Sequence, residues 1–400
     1  MTAPVLRRAT LAVYTVFILS GFSFASWASR IPQVRDALSL SPRGLGLVLL
    51  AAAVGSVVSM PLAGVVIARL GTAHTVAVMA VLAAVGVATS AVGYRVGVVP
   101  VVAGLFLVGA GLGTWDVAMN VEGAAVEQRL GFSIMPRFHA GFSVGTVAGA
   151  AIGTALVALG ISARTHLIVV AGLVAVIAPL AVRSFLASAP PAEHDEPHAP
   201  LHAWTERRTL LIGLFVFAAA FTEGTGNDWL GVATIDGYGA PAALGTLTFA
   251  IFLAAMTIGR WFGPAFIDRR GRVPTVRVLG VVALAGLGLV VFGGSLAVAM
   301  AGAALWGLGI SLGFPVGMSA ASDDPRRAAG RVSVVATIGY VAFLAGPPLI
   351  GFLGEEVGTL RALTVAGGLV ALGLLVSGAL TPPATAPETD VSVASRAAEI

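Results

Sequence analysis

The 400-residue chain contains no cysteine and no lysine, and only 10% of its residues are charged. Without cysteine there is no disulfide, thiol nucleophile or thiolate-held iron–sulfur cluster. Without lysine there is no Walker A phosphate loop and no Schiff base, so the chain does not hydrolyse ATP through a P-loop of its own. The scarcity of charge excludes an ordinary soluble domain, in which about 25% of residues are charged. No segment presents a nucleophile–base pair or a clustered set of metal ligands. The expectation is therefore a non-enzyme with no catalytic residue, no metal and no cofactor.

What is present is hydrophobicity, 57% of the residues, arranged in runs. A helix crossing a bilayer core of about 30 Å needs about 20 apolar residues. Twelve such spans are read at roughly 10–29, 45–68, 75–93, 98–120, 139–160, 165–186, 210–231, 243–267, 275–293, 296–320, 332–353 and 360–380. The fold class expected is an all-α polytopic membrane protein, with the lipid bilayer as its solvent. Arg7 and Arg8 ahead of the first run, and "FASWAS" at its end, imitate a secretory signal. That reading is rejected because the first span is needed by an internal repeat. Counting alternate loops, sixteen arginines fall on the N-terminal side and six on the other, with Arg260 inside a span. The positive-inside rule then places both termini in the cytoplasm of a cell with this protein in its inner (plasma) membrane. Spread one to four at a time, these arginines form no stripe for nucleic acid.

The repeat has a spacing near 200. Trp27, "SPRGLG" (41–46) and "GVVIARLG" (64–71) are answered by Trp229, "APAALG" (240–245) and "PAFIDRRG" (264–271), and "GLFLVGAGLG" (104–113) by "GAALWGLGIS" (302–311). Two six-span halves of like orientation form a parallel repeat, with a binding cavity expected between them near the midplane. The division expected is an N-terminal bundle over 1–186, a cytoplasmic linker over 187–208, a C-terminal bundle over 209–381 and a polar, disordered tail over 382–400. In the linker, His194, His198 and His202 are spaced four apart as metal ligands on a helix are, but Pro197 and Pro200 interrupt them and the reading is a solvated linker.

Ionisable residues inside a membrane are functional candidates by default, since inserting one costs about 2.5–3.5 kcal/mol on insertion scales. In "GAGLGTWDVAMNVEG" (109–123), Asp116 sits in an apolar run with Asn120 one turn later on the same face. A carboxyl that is neutral in a shut cavity and ionised in a wet one carries a proton across. The alternative is a permanently protonated acid bonding a neighbouring helix. Glu223, near the middle of span seven, is the second candidate for proton coupling and also a substrate ligand. Gly224 and Gly226 beside it leave room for close approach. Asp228 lies roughly 140° around that helix from Glu223 and is expected to pair with Arg30 at the outer end of span one. Arg260 could counter Asp116 or a substrate anion; the preferred reading is snorkelling toward the surface or bonding span-end carbonyls. His139 is read as gating or structural, and Glu122 and Glu127 as loop residues near the membrane surface. Trp27, Trp115, Trp229, Phe314 and Tyr340 are candidates for cavity walls, with Asn120 and Asn227 as hydrogen-bonding partners. A flat apolar face beside amides suits a sugar ring, although tryptophan and tyrosine also anchor helices at interfaces. "GTVAGAAIG" (145–153) is read as a seam of close helix packing.

Two loops resemble the signature of the major facilitator superfamily, roughly Gly-x-x-x-Asp-Arg-x-Gly-Arg. The first copy keeps Gly64, Arg69 and Gly71 but has Ala68 in place of the acid. The second keeps Asp268, Arg269, Gly271 and Arg272 but has Pro264 in place of the first glycine. The resemblance implies that these charges hold neighbouring helix ends, with a weaker lock in the first half. "WASRIPQVRDALSLSPRGLGLVLL" (27–50), "WDVAMNVEG" (115–123), "RFHAGFSVGTVAGA" (137–150), "EGTGNDW" (223–229) and "GLGISLGFPVGMSAASD" (307–323) are similar to the fucose-permease-like branch and its YbjJ-like members. That branch carries an acid and an asparagine four apart on span four, as Asp116 and Asn120 are. It also carries an acid late in span one, where this chain has Ala28 or Ser29. Span five is similar to an antiporter motif but has Ala150 where the proline belongs.

The function expected is alternating-access transport of a small polar, sugar-like metabolite with protons, by a monomer. Proton-driven efflux of a drug or hydrophobic metabolite, and a receptor that binds without transporting, are the alternatives.

Overall fold

The computed structural model describes residues 3–131, 134–186, 200–324 and 327–382. The histidine spacing at 194 and 198 and the polar tail beyond 382 lie outside these, and of His202 only the backbone is described. Among the described residues the regular structure is helical, with no strand. In the first half, α1 is Ala3–Ala28, α2 Ile31–Ala37, α3 Pro42–Gly93, α4 Val98–Leu130, α5 Met135–Ala158 and α6 Ala163–Ala181. In the second, α7 is Arg207–Tyr238, α8 Ala242–Arg270, α9 Arg272–Phe292, α10 Leu296–Ile310 and α11 Gly313–Ala321. Then come α12 Ala328–Val357, α13 Thr359–Ala362 and α14 Thr364–Val376.

Among the described residues, eleven helical segments are long and apolar enough to cross a membrane, and one of them counts twice. At 52 residues, α3 would be about 78 Å long if straight, more than twice a hydrocarbon core. It is broken at Gly71, whose φ of 73° and ψ of 165° are not helical. The two arms are the second and third of twelve spans. Gly271, with φ 82° and ψ 167°, makes the equivalent break between α8 and α9, exactly two hundred residues on. Where α3, α6 and α10 begin, Ser41, Ser162 and Ser295 accept the backbone N–H of Gly44, Thr165 and Val298. These caps satisfy donors that a helix start leaves open. Since the number of crossings is even, the chain enters α1 and leaves α14 at the same end of the bundle, called proximal below; the opposite end is distal.

The halves repeat in their close contacts as well. A Cβ on Gly109 of α4 would collide with the carbonyl oxygen of Ala52 on α3. A Cβ on Gly307 of α10 would collide with that of Phe252 on α8. Along span five, Gly145 and Gly149 meet the carbonyls of Ile18 and Phe22 on α1. The first span is thereby built into the bundle. Small residues that let backbones touch are the means of helix association in lipid, where the hydrophobic effect gives no help. Gly109→Ala is expected to force α3 and α4 apart at an overpacking cost of about 1–3 kcal/mol. A thermal melt of the purified variant checks this, and an unshifted midpoint would mean that this seam has slack.

One boundary differs from the sequence reading and moves two residues with it. Helix α4 continues past residue 120 to Leu130, where Gly131 closes it in the left-handed conformation (φ 75°). Glu122 is consequently not a surface loop residue. It is 2% exposed and accepts 2.6 Å hydrogen bonds from the Thr72 hydroxyl and the Leu186 N–H. It ties the start of the third span to the end of the sixth. Glu127 accepts the N–H groups of Ile134 and Met135 at 2.7 Å each, capping α5, whose first turn has its own donors unpaired.

Candidate functional site

The two halves meet along α3 against α12 and α5 against α8. At the distal end this seam is shut. The guanidinium of Arg35 on α2 reaches Asp236 on α7 at 2.5 Å and its own neighbour Asp36 at 2.8 Å. The Arg43 N–H donates to Glu355 at 3.3 Å, and its guanidinium lies 4.7 Å from the centre of the Phe352 ring. Below them, Gly46 packs directly on the Pro347 backbone. Toward the proximal end the seam parts. From Trp261 to Arg270 every residue of α8 except Gly263 is exposed or half-buried, as is every residue of α3 from Pro61 to Leu70 except Ala63. A helix packed on its neighbours would bury a stripe; these ends stand clear on all sides. The proximal ends of these two helices are therefore not packed on the opposite half.

Arg35 and Asp236 were not singled out by the sequence, because each looks like an ordinary loop charge until the halves are joined. Arg35→Ala should release about 1 kcal/mol of distal closure, the upper range for a partly exposed ion pair, or about fivefold in the open population. Val232, 1% exposed beneath this contact, offers the readout. In an otherwise cysteine-free chain, a Val232→Cys probe should react several-fold faster with a maleimide when Arg35 is replaced. Equal rates would remove this pair from the gate.

The central charged groups lie on α4, α5, α7 and α8. On α4, Asn120 turns its amide back to Asp116, donating to its carbonyl at 2.8 Å and to its carboxylate at 3.4 Å. Asp116 is half-buried and has no ion-pair partner among the described residues. Tyr340 on α12 lies within electrostatic range of it. In the second half Arg260 on α8 reaches, through its Nη2, both carboxylate oxygens of Glu223 on α7, at 2.7 and 2.8 Å. It also donates to the carbonyl of Ser311, at 3.3 Å. Arg260 thus does not snorkel to the surface: its Nη2 rests between the two oxygens of a carboxylate in reach, a charge-assisted contact. His139 of α5 is exposed, stands edge-on to Phe17 at 5.2 Å and lies within electrostatic range of Arg260. Phe314 on α11 is half-buried, 3.4 Å from where a Cβ on Gly339 would sit.

Other expected site residues lie elsewhere. Trp27 and Trp229 are 6% and 0% exposed and belong to the packed core rather than the cavity wall, as does Trp115 at 0%. Their flat faces are used for helix packing. Gly226 faces the ring of Phe252 and Gly224 that of Phe343, so neither makes room for a ligand at Glu223. Asp228 does not pair with Arg30. The guanidinium of Arg30 is turned into the first half, donating to Nδ1 of His166 at 2.9 Å and the carbonyl of Ile161 at 3.1 Å. Asn227 and Asp228 line a separate crevice near the distal end.

At the proximal end the signature residues divide. Arg69, Asp268 and Arg269 are exposed. Arg272 binds Asp323 at 2.6 Å and the hydroxyl of Ser319 at 2.9 Å, while Arg208 holds the other oxygen of Asp323 at 2.7 Å. Asp323 thereby joins the starts of α7 and α9 to the end of α11. Beside it Glu206 accepts from Arg331 at 2.6 Å and from Thr209 at 2.8 Å, and the Arg331 hydrogen bond holds its carboxyl below the usual carboxylate range. These clasps all lie within the second half.

Two packed helical halves of apolar spans, charged groups set within those spans and a seam tied at its distal end fit a polytopic membrane transporter. A family model of the Major Facilitator Superfamily matches residues 13–341. An uncharacterized MFS-type transporter of Yersinia pestis is 30% identical over 367 residues, covering 91% of this chain and 92% of the relative. The chain belongs to the Major Facilitator Superfamily, whose members are transporters and not enzymes. Among solved structures, the nucleoside transporter NupG aligns with a TM-score of 0.73 at 14% identity, over 92% of this chain and 97% of its own. The E. coli fucose:proton symporter FucP aligns at 0.64 and 15% identity, over 93% and 98%.

Proposed function

We propose that the chain is a proton-coupled symporter of a small polar, sugar-like metabolite, with Asp116 as the coupling carboxylate. The observation that carries this is the unequal standing of the two cavity acids. Glu223 is neutralised by an ion pair with Arg260, whereas Asp116 has only an amide beside it. An acid without a counter-charge in a cavity that alternately wets and shuts is the one whose proton comes and goes. Glu223 and Arg260, with Asn120, Tyr340 and Phe314, then form the substrate surface, a fixed dipole flanked by hydrogen-bonding and aromatic groups.

In this reading the proximal end is cytoplasmic in the inner membrane, as the arginine distribution favours, and the conformation is inward-open. The halves 1–186 and 209–381 rock about the central site within a monomer. Two solved neighbours, named for a nucleoside and for fucose with a proton, support a polar, ring-shaped substrate. A thermal-shift screen over sugars, polyols, sugar acids, nucleosides and lipophilic cations tests the substrate class. Stabilisation by lipophilic cations alone would overturn it in favour of efflux. Accumulation in liposomes under an imposed proton gradient tests coupling, and binding without any accumulation or exchange would make the chain a receptor.

A further inference from the structure

The outer flank of the second half carries a cation and a cavity side by side. Arg277 lies five residues into α9, about 7–8 Å from its proximal start, within reach of lipid headgroups for a snorkelling side chain. It is exposed. Its Nε donates to the hydroxyl of Ser377, just beyond α14, at 3.0 Å, and that hydroxyl gives its own proton to the Leu374 carbonyl at 2.7 Å. Both Nη groups of Arg277 are left without a partner among the described residues, and no acid pairs with the guanidinium there.

One turn deeper the helices part around a cavity of about 40 Å³, room for about three water-sized groups. Gly280 and Ala283 of α9, Gly373 and Leu374 of α14, and Phe215 and Ala218 of α7 are among its walls. No polar side chain lines it, so water finds nothing to bond there. Leu279 and Leu374 of the lining are half-buried, and their neighbours Val278 and Leu375 are 58% and 81% exposed. This wall therefore borders the bilayer. Val276, beside Arg277, also lines the cavity, which places the apolar space directly beneath the unpaired cation.

We infer that this flank binds one anionic phospholipid, with its phosphate on the free Nη groups of Arg277 and part of an acyl chain in the cavity between α7, α9 and α14. Charge selects the headgroup. Phosphate oxygens match a guanidinium with two nitrogens to spare, and a lipid of net negative charge brings no ammonium of its own to compete. Basic pockets between membrane helices hold anionic headgroups by the same attraction. Apolarity selects the tail, since hydrocarbon fills a space that water leaves empty. The inference goes beyond the transport reading: the site lies wholly within the second half and includes neither Asp116 nor Glu223, so either assignment could fail without the other.

The test uses the purified full chain, stripped of lipid in detergent. Native mass spectrometry should show phosphatidylglycerol retained one to one. Its addition should raise the melting midpoint by a few degrees, since a ligand of the native state stabilises by mass action. Phosphatidylcholine should act several-fold more weakly, and diacylglycerol and glycerol phosphate, each only part of the lipid, should shift the midpoint little. Arg277→Gln, at an exposed position, should fold normally and need roughly fivefold more phosphatidylglycerol for the same shift. Val370→Phe, which fills the cavity from α14, should weaken the lipid response likewise; its melt without lipid reports whether it has folded, and if it has not, Arg277→Gln decides. Three outcomes overturn the inference. The wild-type chain retains no phosphatidylglycerol, or a folded variant binds it as the wild type does. In the third, phosphatidylcholine, diacylglycerol or glycerol phosphate acts as well as phosphatidylglycerol, which would leave an unselective lipid contact, a bare apolar cleft or a free-anion site.

Discussion

Asp116→Asn should lose proton-driven accumulation while keeping substrate binding. The substitution preserves shape and the contact with Asn120 but removes the group that takes up and releases a proton. At about 2.3 kcal/mol per charge per 100 mV, one coupled proton at a potential near 150 mV supplies roughly 3.5 kcal/mol. That sustains roughly a 300-fold gradient of a neutral substrate, since each 1.4 kcal/mol is tenfold. In liposomes the variant should fall from this gradient to none. Counterflow exchange of labelled for unlabelled substrate should continue, because exchange moves no net proton. A variant that still concentrates substrate would transfer the coupling role to another acid, Glu223 first.

Replacing one partner of the Glu223–Arg260 pair should cost more than replacing both. The pair is partly exposed, with side chains 17% and 26% accessible, so its loss is smaller than the 3–5 kcal/mol typical of a fully buried pair. Arg260→Met leaves the Glu223 carboxylate without a counter-charge in a membrane. We expect at least about tenfold weaker substrate binding and a lower melting midpoint. Glu223→Gln leaves the guanidinium a neutral acceptor and should weaken binding chiefly. The double variant Glu223→Gln with Arg260→Met should recover part of the stability lost by Arg260→Met alone. A double-mutant cycle on melting midpoints and substrate titrations measures the coupling. Strict additivity would mean that the two residues act separately.

The fold was legible because each span needs about twenty apolar residues and lipid forbids charge along most of them. The repeat was equally legible, since Gly71 and Gly271 recur where the same backbone break is made twice. The paired charges were not. Nothing in the local sequence around Arg260 indicates that Glu223, 37 residues earlier, will turn toward it, and Arg35 and Asp236 are separated by 201. Periodicity gives the helix on which a residue sits but not the rotation that aims it. For this reason Trp27 and Trp229 read as cavity walls and are core, while Asn227 and Asp228 face a crevice of their own. Asp116 with Asn120 was readable because both partners lie on one helix, one turn apart.

The collisions that exclude a side chain at Gly109 and Gly307 carry a mechanical consequence. Where backbone rests on backbone, a helix has no soft layer of side chains to deform, and each half behaves as a stiff block. Deformation then concentrates where the blocks adjoin, along α3 with α12 and α5 with α8. Compliance in this molecule is a property of two seams, and substitutions there should tune the speed of alternation while those inside a block decide whether it folds at all.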